Sequence, residues 1–205
     1  MIIAVDGPTA SGKGTIAKAL AAHFGLPHLD TGLLYRAVGR QVMINGGDPD
    51  NPDDATLGCA FPESLLDDPT LRSEETGGLA SRVSIHPEVR ATLLERQQAF
   101  AHQPGGAVLD GRDIGTVIAP EADVKLFVTA SVEARAQRRY LEMRERGEAV
   151  TIAAIKADLE ARDERDRNRT QAPLRPAPDA ILLDTSHLDR AAAIELAISR
   201  IEEMR

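Results

Sequence analysis

The sequence has little cysteine and few aromatic side chains. Cys59 is its single cysteine, tryptophan is absent, and aromatic residues make up 3% of the 205 residues. One cysteine excludes an intrachain disulfide, and Cys59 has no partners at metal-ligand spacing, so we expect a cytoplasmic protein. The scarcity of aromatics, with no basic stripe between them, argues against binding to long nucleic acid.

Long hydrophobic runs are also missing. No stretch approaches the roughly 18 apolar residues of a membrane span, so no membrane association is expected. The hydrophobic content of 42% is nevertheless sufficient for one sizeable core, with room for small inserted subdomains. We therefore expect a single domain over residues 1–205. We also expect the protein to be a monomer.

Positive charge is in short supply overall, but it is unevenly placed. The 24 lysines and arginines face 32 acidic residues, which gives a net charge of -8. Residues 46–78 alone hold nine acids and one arginine, whereas residues 131–175 hold ten arginines and one lysine against nine acids. A cationic site can therefore exist in this acidic protein.

The most informative motif joins an apolar run at residues 2–6 to a glycine-bounded loop and a helical pattern. In a strand–loop–helix, backbone N–H groups and the positive helix end meet at one point, which suits a polyphosphate. Gly7, Gly12 and Lys13 fit the Walker A spacing, although Gly14 replaces the usual Ser or Thr and Thr15 supplies a hydroxyl one place later. An ordinary glycine turn is the alternative, but strand context, spacing and lysine agree on phosphate. The predicted polyphosphate site consists of Gly7, Pro8, Thr9, Ala10, Ser11, Gly12, Lys13, Gly14 and Thr15.

Short apolar stretches and helical patterns alternate along the chain. The predicted strands cover residues 2–6, 27–30, 107–110, 124–130 and 180–184, and the predicted helices cover 16–24, 31–44, 74–85, 87–103, 131–146, 151–167 and a segment from 189. This order predicts an α/β fold with a doubly wound, parallel five-stranded sheet, in which the strands at 107–110 and 124–130 are buried on both faces. Residues 48–72, with four prolines and many acids, are predicted to form a mostly exposed insertion without a strand.

Aspartates stand at four of the predicted strand ends. They are Asp6, Asp30, Asp110 and Asp184. Ligands of doubly wound sheets bind beyond the carboxyl ends of the strands, so such positions are candidate site residues. Each aspartate could instead serve only a turn or a cap, and for Asp184 we favour that interpretation.

Two sets of arginines share helix faces. Arg135, Arg138 and Arg139 are spaced i, i+3, i+4, and Arg162, Asp166 and Arg169 are spaced i, i+4, i+7. A solvated helix with ordinary ion pairs would look similar. Together with a phosphate loop, however, the arginines favour phosphoryl transfer, which depends on fixed positive groups around the transferred phosphate.

Several blocks of the sequence resemble bacterial cytidylate kinases, in the same order and almost end to end. The blocks are residues 30–36 (DTGLLYR), 80–83 (ASRV), 89–90 (VR), 110–116 (DGRDIGT) and 162–169 (RDERDRNR), while 12–15 (GKGT) resembles nucleoside monophosphate kinases in general. The resemblance implies a P-loop kinase core, a monophosphate-binding region inserted at residues 36–99, and an arginine-rich lid at residues 140–170 that closes over ATP.

The resemblance also implies roles for individual residues. The residues that would hold CMP or dCMP are Thr31, Tyr35, Arg36, Ser81, Arg90, Arg112, Asp113, Arg162, Asp166 and Arg169. Among them, Arg36 would bind the CMP phosphate, whereas Ser81, Arg90 and Asp113 would read cytosine. Arg162 and Asp166 would face the sugar. The implied catalytic set is Lys13, Arg112, Arg138, Arg162 and Arg169, with Arg138 on the ATP side.

The implied reaction is transfer of the ATP γ-phosphoryl group to CMP or dCMP, with Mg²⁺ bridging the ATP phosphates and Thr15 as its candidate protein ligand. Many members of the family carry a small β-rich insertion, and residues 61–76 are short and acidic in its place. A small P-loop kinase for UMP, AMP or a non-nucleotide acceptor such as shikimate is one alternative. A nucleotide-dependent switch is another, although the chain contains no Asn-Lys-x-Asp guanine motif.

Overall fold

A computed structural model describes residues 1–204 of the chain. The strands are β1 Ile2–Asp6, β2 His28–Asp30, β3 Ala107–Gly111, β4 Val124–Thr129 and β5 Ile181–Asp184. The α-helices are α1 Lys13–Phe24, α2 Thr31–Ile44, α3 Pro52–Gly58, α4 Glu74–Val83, α5 Pro87–Ala101, α6 Val132–Glu145, α7 Ile152–Asn168 and α8 Arg190–Glu202. Short 3-10 helices cover Glu63–Asp67 and Pro69–Arg72, and one π-helical turn covers Ile114–Ile118.

The five strands form one sheet in the order β2-β3-β1-β4-β5. β1 pairs in parallel with β3 and with β4, and β4 pairs in parallel with β5. The register places Asp6 beside Gly111 and Phe127, so the carboxyl ends of the three central strands lie at one edge. The predicted α/β fold with a parallel five-stranded sheet is confirmed.

The expected burial of the central strands is confirmed for β3 but is wrong for β4. Every residue of β3 is buried, because helices cover both faces of a central parallel strand. In β4, buried residues alternate with half-buried ones, among them Lys125, whose ammonium reaches the exposed Asp179 at 2.7 Å. One face of β4 is therefore only partly covered.

Contacts divide the chain into two compact units. The first combines Met1–Leu29 with the chain from Ala101 onward, and the second is Asp30–Phe100. In the first unit, the sheet packs against α1 and α8 through a core that includes Ile3, Ile16 and Ile201. The second unit has its own core, in which apolar side chains of α2, α4 and α5 meet.

Residues 48–72 are mostly exposed and contain no strand, as predicted, but they also contain α3, which the sequence analysis missed. Asn51 caps this helix by accepting hydrogen bonds from the N–H groups of Asp53 and Asp54. Ala55 is fully buried, and a Cβ at Gly58 would lie 2.6 Å from a Val42 methyl group. The segment therefore completes the core of the second unit. Across residues 1–204, no helix has the length and hydrophobicity needed to cross a membrane.

Candidate active site

The predicted phosphate loop follows β1 and leads into α1. Gly12 caps the helix with φ 91°, and Ala10 also takes a positive φ of 61°. A left-handed backbone costs a non-glycine residue roughly 1–2 kcal/mol, so the surroundings must hold Ala10 in place. At residue 7 only glycine fits, because a Cβ would lie 2.1 Å from the Val128 carbonyl oxygen. The first turn of α1 contains no acidic residue, which leaves the positive helix end available to an anion.

Arg112 connects the phosphate loop to α7. Its Nη2 donates to the Thr9 hydroxyl at 2.6 Å, and its Nε donates to Asp166 Oδ2 at 2.6 Å. Burial opposes the ionisation of Asp166, but the charges of Arg112, Arg169 and Lys13 outweigh it and hold the pKa of this carboxyl below its usual value. The structure thus brings together four predicted site residues: Lys13, Arg112, Asp166 and Arg169.

Two of the predicted arginines, Arg162 and Arg169, lie on α7 or at its end. The Arg162 side chain is 6% exposed, and its Nε lies 2.9 Å from Asp158 Oδ2. The Arg169 side chain is 5% exposed, and its Nε donates to the Asp166 backbone carbonyl at 3.4 Å. Their burial distinguishes them from ordinary surface ion pairs of a solvated helix.

Arg138 of α6 binds the loop that follows β5. Its guanidinium donates to the carbonyl and the hydroxyl of Thr185 and to the carbonyl of Leu188. The buried Thr185 hydroxyl in turn donates to the Ser11 carbonyl of the phosphate loop at 3.0 Å. Thr185 was not among the site residues predicted from the sequence. Its position directly after a predicted strand end was the one available signal.

Asp6, at the end of β1, holds the segment that carries Asp113. Its two carboxylate oxygens accept hydrogen bonds from the N–H groups of Ile114 and Gly115, each at 2.8 Å. Burial raises the pKa of Asp6 to about 7, against the opposing effect of these two hydrogen bonds. The nearby Asp113 carboxylate raises the pKa further and the Lys13 ammonium lowers it. Asp6 is therefore close enough to a phosphate-loop residue and to a predicted base-reading residue to interact with the charges of both.

Asp110, at the end of β3, stands beside the first turn of α1. Its Oδ2 lies 3.5 Å from the point where a Cβ of Gly14 would be, and its Oδ1 is 2.7 Å from His28 Nε2. The carboxylate therefore approaches the helix turn that also carries Thr15. Asp184, by contrast, accepts hydrogen bonds from the N–H and hydroxyl groups of Ser186, which supports its interpretation as a turn residue.

The second unit contains the remaining predicted acceptor residues. Arg36 donates through Nη1 to the carbonyls of Leu71 and Ser73 at 2.7 and 2.9 Å. The Arg90 guanidinium lies 5.7 Å from the centre of the Tyr35 ring, which is a cation–π distance. Thr31 is buried at the start of α2, and Ser81 lies half-buried on α4. Asp113 belongs to the first unit, as the chain division places it.

Within residues 1–204, no group of three or more His, Cys, Asp or Glu side chains is arranged to hold a metal ion. Thr15 and Asp110 nevertheless offer a hydroxyl and a carboxylate near the same helix turn. Hard oxygen donors of these two kinds suit Mg²⁺ when phosphate oxygens supply further ligands.

Comparison with known proteins gives matches over nearly the whole chain. The family described as "Cytidylate kinase" matches residues 3–57 and 59–203. A cytidylate kinase of Granulibacter bethesdensis is 59% identical over 199 residues, which cover 96% of this chain and 94% of the relative. A cytidylate kinase of Rhodopseudomonas palustris strain TIE-1 is 55% identical over 206 residues, which cover all of this chain and 97% of the relative.

Among solved structures, an uncharacterized protein from Eubacterium ventriosum has a similar fold. The two chains match with a TM-score of 0.54 at 15% identity, over 98% of each chain. Identity this low supports the α/β fold alone.

Proposed function

The chain belongs to the cytidylate kinase family, and we propose that the residues described above carry out its reaction at the predicted phosphate loop. The reaction is phosphoryl transfer from ATP to CMP or dCMP. The observation that carries the proposal is the position of Arg112, which binds the loop at Thr9 and α7 at Asp166. A cation held between these two elements can stay close to the phosphoryl group while it passes from the donor to the acceptor.

On the donor side, the backbone N–H groups at residues 7–15 would hold the ATP phosphates. Lys13 would neutralise charge on the β and γ phosphates, as a mobile cation does in such loops. Arg138 would bind on the ATP side from its anchorage at Thr185, which is itself bound to the Ser11 carbonyl. The same hydrogen bonds would then position both ATP and the phosphate loop.

On the acceptor side, Arg36 would bind the CMP phosphate, with Thr31 and Tyr35 close to the nucleotide. Ser81, Arg90 and Asp113 would read cytosine, because a fixed carboxylate accepts well from the C4 amino group. The region at residues 36–99 would thus bind the monophosphate, while the segment at residues 140–170 would close over ATP. Arg162 and Asp166 would face the sugar.

The reaction does not require a protein side chain to act as a base. A phosphate oxygen of CMP is anionic at neutral pH and can attack the γ-phosphorus directly, so the protein must align the two nucleotides and neutralise their charge. Arg112, Arg162 and Arg169 would stabilise the charge on the transferred group, and closure of α6 and α7 would exclude water.

Magnesium would be held beside the first turn of α1. Thr15 and Asp110 would supply its protein oxygens, directly or through water. When bound, the ion would supply positive charge that neutralises part of the charge on the phosphates. His28 would keep Asp110 in place through the hydrogen bond described above.

The decisive experiment is a coupled assay of ADP formation against CMP, dCMP, UMP, AMP and shikimate. We expect CMP and dCMP to be phosphorylated with the highest kcat/KM. Equal or better phosphorylation of UMP, AMP or shikimate would overturn the acceptor assignment, and a protein that only binds nucleotide would be a switch. The relatives give no support to these alternatives.

A monomeric enzyme of the cytoplasm is proposed from the sequence, and its mass in solution would test the oligomeric state.

A further inference from the structure

The proposed reaction leaves one buried arginine without a role. Arg135 lies on α6, its side chain is 4% exposed, and its partner Asp163 on α7 is 5% exposed. Their two hydrogen bonds are 2.6 and 3.1 Å long, in the paired geometry of a guanidinium facing a carboxylate. Arg167 also approaches Asp163, at 3.5 Å, from the exposed side of α7.

The same guanidinium also holds the phosphate loop. Arg135 Nη1 donates to the Thr9 carbonyl at 3.1 Å, and Nε donates to the Ala130 carbonyl at the end of β4 at 3.0 Å. Arg135 thus uses four donor positions on three elements: the phosphate loop, the end of the sheet, and α7. Lysine offers a single ammonium and cannot reproduce this fork.

The loop is held at the place where its backbone is least favourable. Ala10, with its positive φ, follows Thr9 and precedes Ser11, whose carbonyl binds the Thr185 hydroxyl. Its methyl group packs against the apolar cluster between α6 and α7, which includes Ala136 and Leu159. Strained conformations persist where the surroundings determine them, and here Arg135 fixes the preceding residue.

We infer that Arg135 and Asp163 are a positioning pair that sets the conformation of the phosphate loop from α7, through the Thr9 carbonyl. Arg112 makes a parallel connection, from Asp166 to the Thr9 hydroxyl, but it is also predicted to bind phosphate. When Arg112 turns to the nucleotide, Arg135 still holds the loop. The inference rests on the proposed function, because it concerns the ATP site of that reaction.

A purely structural role is the competing explanation, since the pair could simply join α6 to α7. The variant Arg135→Met with Asp163→Leu separates the two roles. A well-packed apolar pair often replaces a buried ion pair without loss of stability, whereas removal of one partner leaves a buried charge unpaired. The double variant should therefore keep the helices together and lose the donors to the Thr9 and Ala130 carbonyls.

We expect the double variant and Arg135→Lys to raise the KM for ATP about 10- to 100-fold, with a much smaller change in the KM for CMP. Hydrogen exchange at the amides of residue 7 and residues 9–15 should become faster, while exchange in the middle of α8 stays unchanged. Arg144→Lys on α6 and Glu164→Gln on α7 are exposed controls and should match the wild type.

An ATP KM within about twofold of the wild type in both variants, with unchanged loop exchange, would overturn the inference and leave the pair a structural one. If the double variant fails to fold, Arg135→Lys decides by the same two measurements. Failure of the proposed function would look different: the wild type itself would not phosphorylate CMP, while loop exchange and ADP binding by calorimetry would still report on Arg135.

Discussion

Arginines pair with acidic side chains in both compact units, but their surroundings differ. In the first unit, Arg135 and Asp163 are 4% and 5% exposed, and the guanidinium also binds backbone carbonyls. In the second unit, Arg96 and Glu63 are 39% and 74% exposed, and the pair joins the start of a 3-10 helix to α5. The closest N–O distances, 2.6 and 2.5 Å, are almost equal.

The N–O distance therefore does not show which pair is important for function, whereas the burial of the two side chains does. An exposed pair is screened by water and salt and contributes little, because fixing two long side chains offsets most of the attraction. A buried pair is costly to break, since the remaining charge stays in a medium of low dielectric constant. We expect function to depend on the buried cations around the phosphate loop and not on the exposed pairs made by the acids of residues 46–78, the acidic segment.

The largest effect should follow removal of the cation in the phosphate loop itself. Lys13→Ala should lower kcat by two orders of magnitude or more, because the lysine would serve the transferring phosphates. The melting temperature should change little, because Lys13 is only half-buried and occupies the first position of α1. Lys18→Ala, an exposed position on α1, is the matched control. Near-normal turnover of Lys13→Ala would show that the phosphate loop is not part of the active site. The contrast between the cations around this loop and the exposed ion pairs would then no longer hold.

The second test exchanges buried arginines for lysine. Arg162→Lys and Arg169→Lys keep the charge and lose the planar fork, so kcat should fall about 10- to 100-fold with a modest change in stability. Arg165→Lys, on an exposed position of the same helix, should be silent. Unchanged kinetic constants in both buried variants would show that these arginines, like those of surface ion pairs, have no role in the reaction.

Much of this arrangement was accessible from the sequence, for identifiable reasons. The loop at residues 7–15 and the strands are local patterns, because the residues that form each of them are neighbours in the chain. Arg135 and Thr9 are 126 residues apart, and Thr185 and Ser11 are 174 apart. Local spacing cannot show which side chain reaches which carbonyl, because the packing of α6 and α7 decides it. The resemblance named Arg112 and Asp166 but gave no contact between them.

A third prediction concerns base choice and the buried Asp113. Uracil presents a carbonyl where cytosine has an amino group, so a carboxylate facing it would be unpaired and repelled. The wild type should therefore prefer CMP strongly over UMP. Asp113→Asn should lose about tenfold or more in kcat/KM for CMP and narrow the gap to UMP. The ratio of the two efficiencies is the measurement, with Asp67→Asn as an exposed control. An unchanged ratio would mean that Asp113 does not read the base.

A fourth prediction uses the pH dependence of Asp6. Burial raises its folded pKa to about 7, above the unfolded value of 3.8, so the folded state binds more protons between these values. Its contribution to stability is full at low pH and is lost as the pH rises towards 7. Asp6→Asn cannot accept from both N–H groups and should be less stable throughout, but the deficit in melting temperature should shrink from pH 5 to pH 8. A deficit that grows with pH would show that Asp6 is ionised over this range.

The smallest effect should come from the exposed pair, and Glu63→Gln is its cleanest test. Arg96 also lies 5.9 Å from the centre of the Phe61 ring, so changing the arginine would remove a second contact, whereas changing Glu63 removes only the ion pair. The hydrogen bond from Arg96 lowers the pKa of Glu63, so the pair contributes above pH 4.5 and its contribution is lost as the pH falls below that value. At pH 7 and low salt the melting temperature should therefore fall by no more than about 2 °C, and the difference should vanish at pH 3 or in 1 M salt. Kinetic constants should match the wild type, because the acids of this segment take no part in the proposed reaction. Asp163→Asn, measured in the same series, should lose several times more stability; if Glu63→Gln costs as much, burial is not what separates the two kinds of arginine pair.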